Sequence, residues 1–216
     1  MQRKIIIIIA SALIVVTLLS PKLPFFKEQE QDIITTECGT KIDTSVYKNE
    51  NADPVAVFQF SNCQDVIVVL SPKSAPKTVA NFIDLANSER YDKNNVHRVI
   101  PNEILQAGKI TPESPNIEGE FNLNSVNNTI VHEPGVISMA RVNGEYNSAS
   151  SQFFFVLNKR IEYDGQYAAF GKTVKGLEFL QQYSKVKLEG SVPVTPITFD
   201  RIRVNTFGKE YPVERL

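Results

Sequence analysis

Apolar positions along the chain fall into blocks of different period. The first is an unbroken run from Ile5 to Leu19, interrupted only by Ser11 and Thr17, preceded by Arg3 and Lys4 and closed by Ser20, Pro21 and Lys22. From Pro21 to about Pro54 the sequence turns polar and charged with no sustained apolar period, which predicts a spacer. Two β-rich runs follow, Val55 to Phe60 and Val66 to Leu70, at hairpin spacing across Ser61 to Asp65. Ser74 to Tyr91 then changes to helical spacing. Val79, Phe82, Ile83 and Ala86 share one face, Ser74 is placed to cap and Pro76 sits in the first turn.

Two extended stretches in the middle carry polar side chains where a packed strand is normally apolar. In HRVIPNEILQAG, His97 to Gly108, strict alternation groups Val96, Arg98 and Ile100 against His97 and Val99, so that Arg98 is the odd member of its face. In SMARVNGEYNSASSQFFFVL, Ser138 to Leu157, Gln152, Phe154 and Val156 share one face and Phe153, Phe155 and Leu157 the other. An amide beside an aromatic ring on one face suggests a lined groove. Between these stretches lies a long polar loop from Ile110 to about Val131, a length often functional in a compact domain. Asp164-Gly165 predicts a tight turn before a strand at Ala168 to Val174; a second helix fits Gly176 to Ser184 and a last strand Ile197 to Val204. Many short strands with two amphipathic helices make the fold class mainly β. A closed barrel with helices plugging its ends and a sandwich both satisfy the pattern.

With 216 residues and 42% hydrophobic content, the chain supplies the core of one ordinary domain plus an appendage. Its 23 basic and 24 acidic residues give a net charge of -1, which offers no electrostatic ground for binding nucleic acid. His97 and His132 are the only histidines and Cys38 and Cys63 the only cysteines. No metal site and no Cys/His nucleophile is expected from so small a set. The basic-apolar N-terminus reads as an export signal, either cleaved or retained as a single-span anchor through residues 5–20 with Arg3 and Lys4 in the cytoplasm. Both versions place the remainder outside the cytoplasm, in the periplasm or on the inner membrane facing it. Export permits a Cys38–Cys63 disulfide, worth ~3 kcal/mol by loop closure; two unpaired thiols are the alternative.

At HRVIPNEILQAG, SMAR, SASSQFFFV and DGQYAAFGKTVKG, with APKTVANF and HEPGVISMAR in support, the chain resembles the cyclophilin-type peptidyl-prolyl cis-trans isomerases, especially the exported bacterial kind. The likeness spans about Val55 to Asn205 and implies a closed eight-stranded antiparallel β-barrel capped by two helices. It divides the chain into a signal or anchor at 1–20, a spacer at 21–54, an isomerase domain at 55–208 and a tail at 209–216. By the same resemblance Arg98 matches the catalytic arginine, with Gln106 and Phe154 beside it. Ile104, Ala140, Arg141, Gln152 and Tyr167 fall among the substrate-binding positions, as do Glu103 and Glu162. The family uses no cofactor, and the implied partners are proline-containing segments of exported polypeptides, bound by a monomer. His97 is expected to be a packed, hydrogen-bonded residue and His132 a loop residue.

Four positions depart from the family pattern. Glu103 stands where a phenylalanine lines the proline pocket, Ala107 and Lys109 replace a glycine and an aspartate, and Glu162 falls where the eukaryotic proteins have tryptophan. A carboxylate at Glu103 is expected to carry water into the pocket or to pair with Arg98 and withdraw its donors, weakening proline binding. The implied activity is therefore prolyl isomerisation in the folding of exported proteins. The alternative is a catalytically weak peptide-binding module or chaperone at the membrane, for which an Arg98–Glu103 ion pair would argue.

Overall fold

The computed structural model of the protein describes residues 32–216, so the apolar run at 5–20 and the first part of the expected spacer lie outside the described residues. Among the described residues no helix is long and apolar enough to cross a membrane. A ribbon of β1 (Ile33–Thr35) and β2 (Lys41–Asp43) comes first, followed by a single 3-10 turn, Thr44–Tyr47. The hairpin β3 (Val55–Phe60) and β4 (Asp65–Leu70) follows, paired from Val55 opposite Val69 to Gln59 opposite Asp65. Alternate residues of this hairpin enter two different cores. Ala56, Phe58, Phe60, Val66, Val68 and Leu70 point inward, whereas Val55, Val57 and Ile67 pack outward with Ile42, against Ile34 and Tyr47 of the ribbon.

That second core corrects the expected spacer. Residues 32–54 carry too few apolar side chains to show a period, yet Ile34, Ile42 and Tyr47 are enough to cover the outer face of β3 and β4. A disulfide between Cys38 and Cys63 fastens the ribbon to the β3–β4 turn. From the opposite side, the Arg201 guanidinium bonds Gln59 Oε1 (3.1 Å) and Glu37 (3.1 Å) and reaches the Thr35 carbonyl.

The remaining strands are β5 (Asn95–Val96), β6 (Arg98–Ile100), β7 (Ile104–Ala107), β8 (Val136–Met139), β9 (Phe153–Val156), β10 (Ala169–Lys175), the short pair β11 (Leu188–Glu189) and β12 (Val192–Pro193), and β13 (Ile197–Asn205). The main antiparallel sheet runs β5-β13-β3-β4-β10-β8-β9-β7-β6. Its two end members, β5 and β6, are halves of one stretch interrupted at His97. The sheet thus returns on itself as a nearly closed barrel, nine strands by segment and eight when β5 and β6 count as one. The interruption also resets the alternation expected across this stretch. Val96 and Val99 both enter the inner core, leaving Arg98 exposed on the outside.

Helix α1 (Pro76–Asn87) closes one end of the barrel with Phe82, which meets Phe58, Phe153 and Phe170 at centroid distances of 5.9, 5.6 and 5.3 Å. Offset and edge-on ring pairs of this kind add to the area they bury. Ser74 does not cap the helix; its hydroxyl meets Ser71 Oγ at 3.1 Å. The free N–H groups of the first turn are instead taken by the buried carboxylate of Glu120, which accepts from Lys77 N (3.0 Å) and Thr78 N (2.7 Å) across 42 residues of sequence. A negative group there also suits the helix dipole. Helix α2 (Leu177–Tyr183) covers the other end, with Phe179 and Tyr183 against Phe60 at 4.9 and 5.9 Å. The segment read as a tail returns along α1, where Arg215 bonds Asn81 Oδ1 (2.9 Å) and Asp84, and Glu214 pairs with Lys77 (3.2 Å).

The disulfide closes a separation of 25 residues, and opening it enlarges the unfolded ensemble. Replacing both cysteines by serine should lower the unfolding free energy by ~3 kcal/mol in urea titration; an unchanged midpoint would show that the ribbon holds without the link.

Candidate active site

Strand register alone assembles one row of side chains on the outer face of the barrel. Arg98 on β6 is opposite Gln106 on β7, Gln106 is opposite Phe154 on β9, Phe154 is opposite Ser138 on β8, and Ser138 is opposite Ala169 on β10. Directly opposed residues of antiparallel strands project to the same face. Four of the strands thus bring Arg98, Gln106, Phe154 and Ser138 side by side from three separate parts of the sequence. The next row adds Ile104 opposite Val156, and these apolar neighbours form a small outer core with Phe154, Val136 and Ala169.

Hydrogen-bond polarity then fixes the polar side chains. Arg98 Nη1 donates to Gln106 Oε1 (3.1 Å), Gln106 Nε2 donates to Gln152 Oε1 (3.0 Å), and the same oxygen meets His97 Nε2 (3.1 Å). Arginine has no acceptor, so the Gln106 oxygen must face it and its NH2 must face Gln152. Gln152 Oε1 can only accept, so the His97 proton lies on Nε2. Burial pushes the His97 pKa down, against the opposing bond from Gln152, and the ring is neutral near pH 7. His97 is packed as expected, and its buried Nδ1 has no partner among the described residues.

Beside this chain of bonds is a cavity of about 140 Å³. Phe154, Ile104 and Ala140 form its apolar surface, and Arg98, Gln106 and Arg141 its polar edge. Tyr163 and Tyr167 complete it, both edge-on to Phe154 at 5.8 and 5.5 Å. A second cavity of about 120 Å³ shares Gln106, Ala140 and Arg141 and adds Gln152, Val142, Ser148 and Ser150. Ala140 is positioned by its N–H, which donates to the Gln152 carbonyl at 2.9 Å.

Tyr163 was not among the residues singled out in the sequence, although it directly precedes the Asp164-Gly165 turn. It lies in a 3-10 turn, Ile161–Tyr163, where no strand alternation marks it. The expected roles of the two carboxylates are corrected. Glu103 bonds Arg160 and not Arg98, Glu162 pairs with the same arginine (3.4 Å), and neither lines the cavity. Because Arg160 engages Glu103, that carboxylate leaves the donors of Arg98 free.

His132 is a loop residue, as expected, but a fully buried one that supports the aromatic side of the cavity. Its ring lies nearly parallel to Phe154 (6.4 Å, 15°) and edge-on to Tyr163 (5.9 Å). Nδ1 meets Asp164 Oδ1 at 2.8 Å and Nε2 meets Ser138 Oγ at 3.1 Å. Asp164 can only accept, so Nδ1 carries the proton and Nε2 accepts from the serine hydroxyl. The order Ser–His–Asp is that of a hydrolase triad, but Ser138 is 0% exposed, so no substrate reaches it. The arrangement is a polar clamp behind the aromatic wall.

Comparisons with known proteins agree with this fold. The family model described as cyclophilin type peptidyl-prolyl cis-trans isomerase/CLD matches residues 56–204. Peptidyl-prolyl cis-trans isomerase A of Dickeya dadantii is 33% identical over 156 residues, covering 65% of this chain and 79% of that protein. Peptidyl-prolyl cis-trans isomerase B of Bacillus subtilis is 36% identical over 130 residues, covering 56% and 88%. In fold, the chain is similar to the crystal structure of a cyclophilin type isomerase from Cryptosporidium parvum solved in the presence of the dipeptide Ala-Pro, with a TM-score of 0.63, 22% identity, and coverage of 69% of this chain and 98% of that one.

The clamp carries a pH signature. Burial, the larger influence, holds the His132 pKa below its ordinary 6.5 although Asp164 and Glu162 pull it upward. The unfolded chain therefore binds more protons than the folded one as pH drops through that value, and stability falls with it. Urea midpoints should decrease from about pH 7.5 to about pH 5.5, with a shallower slope for His132→Gln; an identical slope in the variant would mean that His132 does not titrate against folding.

Proposed function

The chain belongs to the cyclophilin-type peptidyl-prolyl cis-trans isomerase family, and we propose that it isomerises X-Pro bonds in polypeptides outside the cytoplasm. Amide resonance sets the barrier to this rotation at ~18 to 20 kcal/mol for peptide bonds in general. No bond is broken and no proton must move. The protein has to hold the proline and favour the twisted amide, in which charge is localised and the nitrogen is less conjugated, over the planar one.

The observation that carries the reading is the placement of Arg98. Its Nη1 is fixed by Gln106, it stands at the edge of a cavity whose apolar surface is Phe154, Ile104 and Ala140, and no carboxylate lies within 4 Å of it among the described residues. The apolar surface desolvates the pyrrolidine ring. The guanidinium, held in place beforehand, presents donors to charge that exists only in the twisted state. Each ~1.4 kcal/mol of such differential binding is a tenfold gain in rate.

The ion pair across the groove that would favour a non-catalytic peptide-binding module does not form, because Glu103 is engaged by Arg160. Export is supported by the apolar run behind Arg3 and Lys4 and by a disulfide suited to an oxidising compartment. Clients of this activity are then exported chains during folding, met by a monomer whose groove is complete in one copy.

Exchange NMR on a proline peptide with the full chain tests the assignment. Arg98→Ala should lower kcat/KM by about 10²-fold, the scale of losing one preorganised donor. Glu103→Gln should change it by no more than about threefold, since this half-buried pair lies outside the cavity lining and leaves Arg98 untouched. An Arg98→Ala protein as active as the original would remove the proposal.

A further inference from the structure

Charge is distributed unevenly around the groove. Glu103 and Glu162 are both tied to Arg160 on one side, whereas Arg98 and Arg141 have no carboxylate within 4 Å among the described residues. Arg141 is the more firmly held of the two. Its Nε donates to the Gln166 carbonyl (3.0 Å) and Nη1 to the Val142 carbonyl (3.1 Å). The guanidinium also lies over the rings of Tyr167 (4.8 Å), Phe121 (5.3 Å) and Tyr146 (5.3 Å). Aromatic faces stabilise a cation without neutralising it. Nη2 has no protein acceptor among the described residues.

Arg141 forms, with Gln106 and Ala140, the wall common to both cavities. The polar groups of the second cavity are this guanidinium, the amides of Gln106 and Gln152 and the hydroxyls of Ser148 and Ser150, with no carboxylate. The Ser148 proton is already donated to the Glu145 carbonyl, so the donors left for an anion are the guanidinium, the amide NH2 groups and the Ser150 hydroxyl, and nothing in the lining neutralises a cation. Successive residues of an extended chain advance about 3.3 Å. A segment with its proline in the first cavity therefore places a nearby side chain at the second.

We infer that the second cavity selects an aspartate or glutamate side chain of the bound polypeptide close to the proline, with Arg141 as the residue that reads its charge. The guanidinium is preorganised, so little side-chain freedom is lost on pairing. Partial exposure keeps the gain modest and sensitive to salt. This inference rests on the isomerase reading and narrows it to a class of substrates.

The test uses the full chain and peptides matched except at one position, with Glu, Gln or Lys at each of the two positions before and the two after proline. Exchange NMR gives kcat/KM for each. At one position the protein should rank Glu over Gln over Lys, with Glu about three- to fivefold above Gln, and the preference should shrink at high salt. In Arg141→Gln the Glu/Gln ratio should fall to about one, and in Arg141→Glu lysine should overtake glutamate. The ratio is the readout because each variant's rate on the Gln peptide reports any general damage to the site. Equal rates for Glu and Gln at all four positions in the original protein, or a preference that survives Arg141→Gln, would overturn the inference. Failure of the original protein to isomerise any peptide would overturn the isomerase reading, and the inference with it.

Discussion

Arginine can donate hydrogen bonds but cannot accept them, and the site depends on that asymmetry. Because Arg98 must find an oxygen, Gln106 turns its carbonyl toward it; Gln106 then offers its NH2 to Gln152, whose oxygen also accepts a hydrogen bond from His97 Nε2. One donor-only group at the groove and one neutral ring below it are enough to orient two amides that could otherwise flip. The result is a cation fixed in direction but with donors left over. Burial of His97 contributes by keeping that ring neutral, so the far end of the chain of bonds does not add a second charge.

The barrel explains why this arrangement faces outward. Its interior is filled by aromatic side chains around Phe58, including Phe82, Phe153, Phe155 and Phe199. Binding is left to the outside of the sheet, and two parts of that surface have different fates. Over β3 and β4 it is sealed by the disulfide-linked ribbon. Over β6, β7 and β9 it stays open as the groove beside Arg98, Gln106 and Phe154. Support for the open part comes from loops: Asp164 and His132 clamp the far end, Tyr163 and Tyr167 wall it, and the long loop supplies Phe121 beneath Arg141.

Much of this was legible in residue order. Alternation in Gln152 to Leu157 separated groove from core correctly, since Phe153 and Phe155 are interior and Phe154 outward. Arg98 stood out as a charge in an otherwise apolar strand. What stayed hidden depended on partners distant in sequence. Glu120 caps α1 from 42 residues away, so the nearer Ser74 looked like the cap. Residues 32–54 fold because the outer faces of Val55, Val57 and Ile67 offer them an apolar surface, a fact that no period within the segment could reveal. His132 and Tyr163 sit outside the strands, where alternation says nothing. Glu103 looked like an intruder because its neutralising partner, Arg160, lies far along the chain.

In the proposed mechanism Gln106 serves catalysis by aiming Arg98, and a double-mutant cycle isolates that role. Isomerisation by Gln106→Leu should be slowed in the presence of Arg98, and the same substitution made in an Arg98→Ala background should cost little more, because the group it aims is gone. Equal, additive losses in the two backgrounds would contradict the account and make Gln106 an independent contact to the substrate.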